Sequence, residues 1–417
     1  MRVLLSSRGS RGDVFPVLAI SRELARRGHD VRLCVPENFR SIARQIGNEL
    51  HCYDEDSDEV MRSMGSGWRA ARNALEWFTR GIEAQFELLV PASAGADVLV
   101  SSVNEVAASS VAEHRGIPHF RVALAPVIPG EQPPPLQPYQ RLPTLLNRAS
   151  WLALNASTDV LFGRQINRTR RELGLDPVRR MPDCLAASSH TLLAISPMIS
   201  PPARGWRYPY TYTGYLHDFD SAALDPALER FLERGPKPVY VGFGSVNIED
   251  PRRMTATILE AVRLSGCRAV IERGWTGLGG GPSPEGVIFV DEVPHARLLP
   301  LVHGIAHHGG SGTIHSAARA GIPQFVMPQI ADQYYWGHRM HALGLGPRPV
   351  PPKDLTAARL ARALNELSSP SYRSRAASLS RRIRQENGVE KACSVIEGRG
   401  GKRRGNVKLQ QTERNLP

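Results

Sequence analysis

The chain has 417 residues, 41% hydrophobic and 22% charged, which fits two globular domains of roughly 200 residues each, and no run approaches the roughly 18 apolar residues that cross a bilayer. Part of its formal net charge of +12 is gathered at the C-terminal end, where residues 399–417 carry six basic side chains against Glu413 alone, a net +5. That stretch is rich in Gly, Lys, Arg and Gln without apolar periodicity, so it predicts a solvated, disordered tail over 398–417 rather than a nucleic-acid-binding surface, with attraction to an anionic membrane left open as a peripheral role.

In chain order, strand and helix alternate. Residues 3–7 predict a strand, 15–27 an amphipathic helix stopped at Gly28, and 31–35 a second strand. Residues 67–89 repeat Trp68, Ala71, Leu75, Phe78, Ile82 and Phe86 at helical spacing. A strand at 97–102, a helix at 105–115 stopped by 116–118, and a strand at 119–124 follow; the Pro-rich stretch 130–143 is an irregular loop and 145–173 one or two helices. The pattern breaks between 215 and 238 and then restarts with strands at 239–244, 269–272, 287–290, 304–308 and 324–327 and a helix near 253–264. Such alternation builds parallel sheets with helices on both faces. The predicted fold class is α/β, two Rossmann-like domains facing across a cleft: residues 1–215, a linker at 216–236, and 237–397. Ligands bind at the carboxyl edges of such sheets, hence in the cleft.

The five cysteines (34, 52, 184, 267 and 393) are odd in number and never in Cys-x-x-Cys spacing, which argues against a disulfide framework and a thiolate zinc site and for a reducing cytoplasm. Residues Arg8, Arg11 and Asp13 interrupt any secretory leader core.

The most informative stretch is His307-His308-Gly309-Gly310-Ser311-Gly312-Thr313, at the end of a short apolar strand. Its glycines let the backbone approach a ligand closely. Thr313 is expected to open a helix of small residues over 314–320, so that free N–H groups and the positive dipole end point into the turn. Asp332-Gln333 follows the next strand and turn. An anion site at a helix start, with an acid and an amide nearby, suits a diphosphate carrying a polyhydroxylated group, a nucleotide sugar. At the other end stands Gly9-Ser10-Arg11-Gly12-Asp13-Val14-Phe15-Pro16, with Asp13 just past the carboxyl end of the first strand. Asp13 can cap the helix expected near Phe15 or act as a general base in the cleft, and the two roles are compatible.

The C-terminal stretch resembles the donor signature of the two-domain (GT-B) nucleotide-sugar glycosyltransferases, in the family of plant glucosyltransferases and antibiotic glycosyltransferases. The N-terminal stretch is similar to the loop of the bacterial branch that glycosylates glycopeptide antibiotics, sterols and lipids. The likeness covers most of residues 1–370 and is thin between about 53 and 182. It implies an inverting hexosyltransferase that takes a UDP- or dTDP-hexose and a hydroxyl of a hydrophobic small-molecule acceptor. On that resemblance Asp13 is the general base, in an acceptor loop with Arg11 and Gly12. His308, Gly309, Gly310, Ser311, Gly312 and Thr313, with Ser245, hold the diphosphate; Asp332 and Gln333 hold the sugar hydroxyls. Val293 and His295 fall where plant members grip base and ribose, but Glu292 stands where their stacking tryptophan does, and Ser316 where they carry a ribose-binding Glu. Trp275 is either a base-pocket wall or a core tryptophan. A last helix, about 371–397, crosses back to the N-terminal domain.

Competing chemistries are weaker. No metal and no cofactor is expected, because a helix start and His308 replace the metal's charge on the diphosphate. The clusters Asp54-Glu55-Asp56, Asp56-Ser57-Asp58 and Asp218-Phe219-Asp220 read as solvated loops, the first without a flanking strand, and His303 and His307 as strand neighbours rather than a zinc pair. The N-terminal loop is Gly-x-x-Gly, not the nicotinamide fingerprint. A nucleotide-sugar epimerase would need neither Asp13 nor a large acceptor pocket, and a non-catalytic auxiliary protein should lose the set His308, Asp332 and Gln333, which this chain keeps.

Overall fold

The computed structural model describes residues 1–400 except 48, 58, 61–66, 137, 182–189, 207, 218–221, 245, 247, 275, 276 and 282. Two all-parallel sheets organise it. The first has seven strands in the order β3-β2-β1-β4-β5-β6-β7: β1 Arg2–Ser6, β2 Asp30–Pro36, β3 Glu49–Tyr53, β4 Val98–Ser102, β5 His119–Ala123, β6 His190–Leu193 and β7 Tyr210–Tyr212. The second has five in the order β10-β9-β8-β11-β12: β8 Val239–Gly242, β9 Ala269–Glu272, β10 Val287–Val290, β11 Gly304–His307 and β12 Gln324–Val326. Strand order reverses between β1 and β4 in one sheet and between β8 and β11 in the other. Such reversal splays the following loops to opposite faces and opens a crevice at the carboxyl edge. Both stretches singled out in the sequence leave strands at these crevices.

Burial explains the layers. Val3, Leu5, Val31, Leu33, Val98 and Val100 pack one face of the first sheet against the helix Arg11–Arg26. Leu4, Cys34 and Leu99 pack the other against the helix Gly67–Ala92 through Ile82, Phe86 and Leu89. Both faces are covered, so β1 and β4 read as apolar runs without alternation. Trp68 and Ala71, expected on the inner face of that second helix, have side chains outside the described set. A further apolar cluster joins the domains: Ala123, Ile128, Leu193, Ile195 and Ile199 meet Ile314, Val326, Trp336, Met340 and Ile383.

Four expectations change. β3 runs directly into Asp54, so the first acidic cluster does follow a strand. β6 and β7 were hidden in sequence by their shortness and polar residues, whereas the one or two helices expected at 145–173 are one, Thr144–Glu172. The expected crossing helix is two: Pro370–Ile383 stays on the C-terminal domain, where Ser380 Oγ donates to the Arg319 carbonyl at 2.6 Å. Gly388–Gly400 returns to the N-terminal domain, where Cys393 and Ile396 join the core and Arg27 pairs with Glu397 at 2.7 Å. That helix includes residues 398–400, expected in the tail; Arg399 Nη1 lies 3.0 Å from His190 Nδ1. Residues 401–417 lie outside the described set.

Candidate active site

The helix expected from Phe15 begins at Arg11, with Ser10 as its N-cap and Asp13 at the third helical position. The Asp13 carboxylate turns back to accept the Ser10 N–H at 2.9 Å and the Ser10 hydroxyl at 3.0 Å. This is a capping-box arrangement, so Asp13 supports the helix start without being the N-cap itself. Asn104, in the loop after β4, also donates to Asp13 and to the Arg8 carbonyl at 3.1 Å. Gly9 fits between them at φ +125°; a Cβ there would lie 2.6 Å from Asp13 Oδ2 and 2.9 Å from Asn104 Nδ2. Burial raises the Asp13 pKa, and the bonds from Ser10 and Asn104 oppose that rise. Arg8 anchors the same loop from below, paired with Glu55 at 2.6 Å and lying 4.1 Å from the centre of the Trp77 ring.

In the C-terminal domain, β11 ends at His307 and the helix begins at Ser311, two residues earlier than expected, with Gly310 as N-cap. Ser311, Gly312 and Thr313 therefore supply the first-turn N–H groups that no helical carbonyl can satisfy. His307 and His308 face apart. His307 is fully buried beneath the turn: its Nδ1 accepts the Gly309 N–H at 3.2 Å, so its Nε2–H donates to Gln324 Oε1 at 3.1 Å. His308 lies beside the loop after β8, and a Cβ on Gly310 would collide with its Nε2. Burial first, then the neighbouring His295, pushes the His308 pKa down to about 4, so the ring is neutral and donates from one nitrogen only. Its buried Nδ1 has no hydrogen-bond partner among the described residues. Ser245 lies outside the described residues.

Asp332 is the N-cap residue of the helix Gln333–Ala342, yet its carboxylate accepts the Trp336 indole N–H at 2.8 Å rather than a backbone group. Burial raises its pKa to about 6, and the negative charge of Asp13 adds to the rise across the cleft. The two acids, 319 residues apart in sequence, thus lie close enough to couple electrostatically. Gln333 departs from expectation: it is buried, and its Oε1 accepts the N–H groups of Gln329 and Ile330 at 2.8 and 3.2 Å. That oxygen holds the turn, which leaves the amide nitrogen for a ligand.

Sequence reasoning missed the pivot between the domains. His315, one turn into the phosphate-side helix, donates from Nδ1 to the Ser311 carbonyl at 2.7 Å and accepts the Ser196 N–H of the other domain at 3.1 Å. Its ring stacks on Tyr215 at 4.8 Å and meets the edge of Trp336 at 5.3 Å. The Tyr215 hydroxyl lies over the helix start, 2.7 Å from where a Cβ on Gly312 would be. Its only sequence signal is the four-residue spacing of Ser311 and His315.

On the nucleotide side, Val293 packs into the core with Tyr240 and Leu298. His295 Nε2 lies 3.4 Å from the Tyr240 hydroxyl. Arg11, assigned to the acceptor loop, reaches across to Glu292 at 2.5 Å. Trp275 lies outside the described residues, as do Asp58 and residues 218–220. Glu55 is held by Arg8 and Trp77, Asp56 accepts the Glu59 N–H, and His303 bonds to the Lys237 carbonyl at 2.8 Å. Among the described residues no group of three acid, His or Cys side chains is arranged to hold a metal ion, and no helix is long and apolar enough to cross a membrane.

Two parallel-sheet domains meeting at their switch points, with an open helix start on one side and an acid on the other, define the GT-B class of fold. The glycotransferase of kitacinnamycin superposes with a TM-score of 0.75 at 21% identity, covering 95% of this chain and 98% of that one. Residues 3–130 match the glycosyltransferase family 28 N-terminal domain, and residues 278–390 the erythromycin biosynthesis protein CIII-like C-terminal domain. The vancomycin aglycone glucosyltransferase of Amycolatopsis orientalis is 32% identical over 407 residues, 95% of this chain and 97% of its own length. The sterol 3-beta-glucosyltransferase UGT80B1 of Arabidopsis thaliana is 30% identical over 412 residues, 93% of this chain and 66% of the relative, so the chain spans about two thirds of the plant protein. The chain belongs to this family of sugar-transferring glycosyltransferases.

Proposed function

We propose that the protein transfers a hexose, with inversion, from a UDP- or dTDP-hexose to a hydroxyl of a hydrophobic small molecule of the antibiotic, sterol or lipid kind, in the reducing cytoplasm. The observation that carries this is the electrostatic coupling of Asp13 and Asp332 from opposite domains, together with the uncapped helix start at Ser311. The acceptor hydroxyl gives its proton to the Asp13 carboxylate while its oxygen attacks the anomeric carbon. The bond to the diphosphate breaks on the opposite side and the diphosphate leaves with the electron pair. The N–H groups of Ser311, Gly312 and Thr313 and the neutral His308 receive that charge in a site shielded from water. Asp332 and the Gln333 amide nitrogen hold sugar hydroxyls and fix the face presented to the acceptor. Asn104 and Ser10 hold Asp13 in line, and its raised pKa brings it closer to the range where a carboxylate takes protons effectively. The names of the relatives supply the sterol and antibiotic-aglycone classes, and the sequence resemblance adds the lipid class.

The test is to incubate purified protein with α-linked UDP- and dTDP-hexoses and a panel of glycopeptide, sterol and lipid alcohols. A β-linked product, assigned by NMR coupling constants, with stoichiometric nucleoside diphosphate supports the reading. An α-linked product would refute the inverting mechanism, and donor isomerised at a sugar carbon without transfer would make the protein an epimerase.

A further inference from the structure

The helix Thr144–Glu172 is held firmly on one side only. Trp151 donates to the Gln132 carbonyl at 2.8 Å, Asn147 to the carbonyls of Glu131 and Leu142 at 3.0 and 3.1 Å, Ile166 is fully buried, and Arg170 pairs with Glu113 at 2.9 Å. These anchors fix which face looks outward. That outward face is apolar: Leu145 is 77% exposed, Leu152 64% and Val160 81%, with Tyr139 of the preceding loop at 74%. Seven of the ten exposed large hydrophobic residues of the described structure fall between 136 and 161. A soluble surface scatters such residues singly; gathered on one element they mark an interaction site.

The charge of the segment selects the partner. Residues 131–172 contain six arginines and three acids, a net +3; the Asp159 carboxylate is turned inward to accept the Met181 N–H at 2.5 Å, while Glu131 and Glu172 pair with Arg148 and Arg168 at 3.1 and 3.3 Å. We propose that this face, helix Thr144–Glu172 with the loop before it, docks on an anionic lipid bilayer. Leucines flanked by arginines, with a tyrosine at the edge, suit a helix lying in the plane of the interface, its apolar side among the acyl chains and its arginines at the phosphates. A second copy of the chain suits the face less well. In a two-fold interface the same patch meets itself, so a surface of net positive charge would face its own copy, with fewer acids than arginines to balance it. This site is separate from the basic tail, and Arg141 stands near His338, on the helix that begins beside Asp332: burial first, and then that arginine, lower the His338 pKa. An acceptor dissolved in the bilayer would thus enter from the docked side, a consequence that rests on the function proposed above, whereas the docking itself does not.

The experiment uses the full chain and vesicles of phosphatidylcholine alone or mixed with phosphatidylglycerol, read by co-sedimentation and by analytical ultracentrifugation without lipid. The wild type binds the anionic vesicles, less so as salt rises, and the neutral ones weakly. Replacing Leu145, Leu152 and Val160 together by Ser lowers partitioning tenfold or more at unchanged melting temperature. Should that variant melt early, Arg141→Gln with Arg148→Gln keeps the apolar face and still weakens binding, by about fivefold for each charge removed. Wild-type protein that ignores anionic vesicles, binding that survives both variants, or binding lost only on deleting residues 401–417 overturns the proposal. So does a wild-type dimer that the serine variant converts to monomer without any vesicle binding, which would assign the face to a second copy. None of these readings depends on sugar transfer, so a failed activity assay leaves them intact.

Discussion

Replacing Asp13 by Asn separates a proton acceptor from a helix support. The amide oxygen of Asn can still accept the Ser10 N–H that lies 2.9 Å from the carboxylate, so most of the support survives. Removing a capping side chain outright costs about 0.5–2 kcal/mol, and a retained acceptor reduces that. A second effect opposes it. Burial raises the Asp13 pKa, so the folded state holds the proton more tightly than the unfolded chain. The stability this lends is fully present below the ordinary value of 3.8 and is lost as pH rises through the raised value. Asn cannot ionise and escapes that loss at neutral pH. The two effects nearly cancel, and the melting temperature should move by no more than about 2–4 °C. Turnover should fall by about 10²–10⁴, roughly 3–5 kcal/mol of barrier, because an amide cannot take the acceptor's proton. The acid limb of the pH profile, which in the wild type lies above 3.8 because the base must be ionised, should disappear with it. Released nucleoside diphosphate, donor titration calorimetry and thermal melting on the same preparations read all three. Near-normal turnover with a clearly lowered melting temperature would make the carboxylate a helix support and remove it from the chemistry.

Other outcomes follow from the same geometry. His308→Ala should reduce catalytic efficiency by roughly 10²–10³, while His307→Ala, which removes the buried link between Gly309 and Gln324, should mainly lower the melting temperature; equal mild defects would leave the diphosphate to backbone N–H groups. The Trp336 indole resonance, bonded to Asp332, should titrate with a midpoint near 6, and in Asp13→Asn the midpoint should fall, because the charge that raises it is gone; an unmoved midpoint would place the two acids too far apart to share a substrate. Transfer should persist in EDTA, and rescue by manganese or magnesium after abolition would return attention to the acidic clusters. Deleting 401–417 should leave melting unchanged, whereas deleting 399–417 should lower it, since Arg399 reaches His190 and Gly400 is buried; equal melting of both would show that the helix end adds no stability.

Local sequence by itself determines a good part of this protein. Strand–helix alternation is written in spacings of two to four residues, so apolar runs such as residues 3–5 and 98–100 and the helical spacing of Ile82 and Phe86 announce two parallel sheets without knowledge of anything distant. The glycine turn before Ser311 is legible for the same reason, because backbone freedom belongs to the residue that has it. Element ends are less so: the helices that follow β1 and β11 begin at Arg11 and Ser311, after the N-cap residues Ser10 and Gly310, earlier than apolar periodicity suggests. β3, β6 and β7 escape notice because short strands with His, Thr and Tyr carry little pattern and are stabilised by neighbours already in place. What only the tertiary structure decided are the meetings of residues far apart in the chain. Asp13 with Asn104 and Asp332, Arg11 with Glu292, and His315 with Ser196 and Tyr215 are pairs that no local pattern relates. The same holds for Gln333, whose polar side chain suggests availability until packing commits its oxygen to the turn. Burial and electrostatic coupling depend on what surrounds a group in space, and a linear sequence specifies that surrounding only by folding.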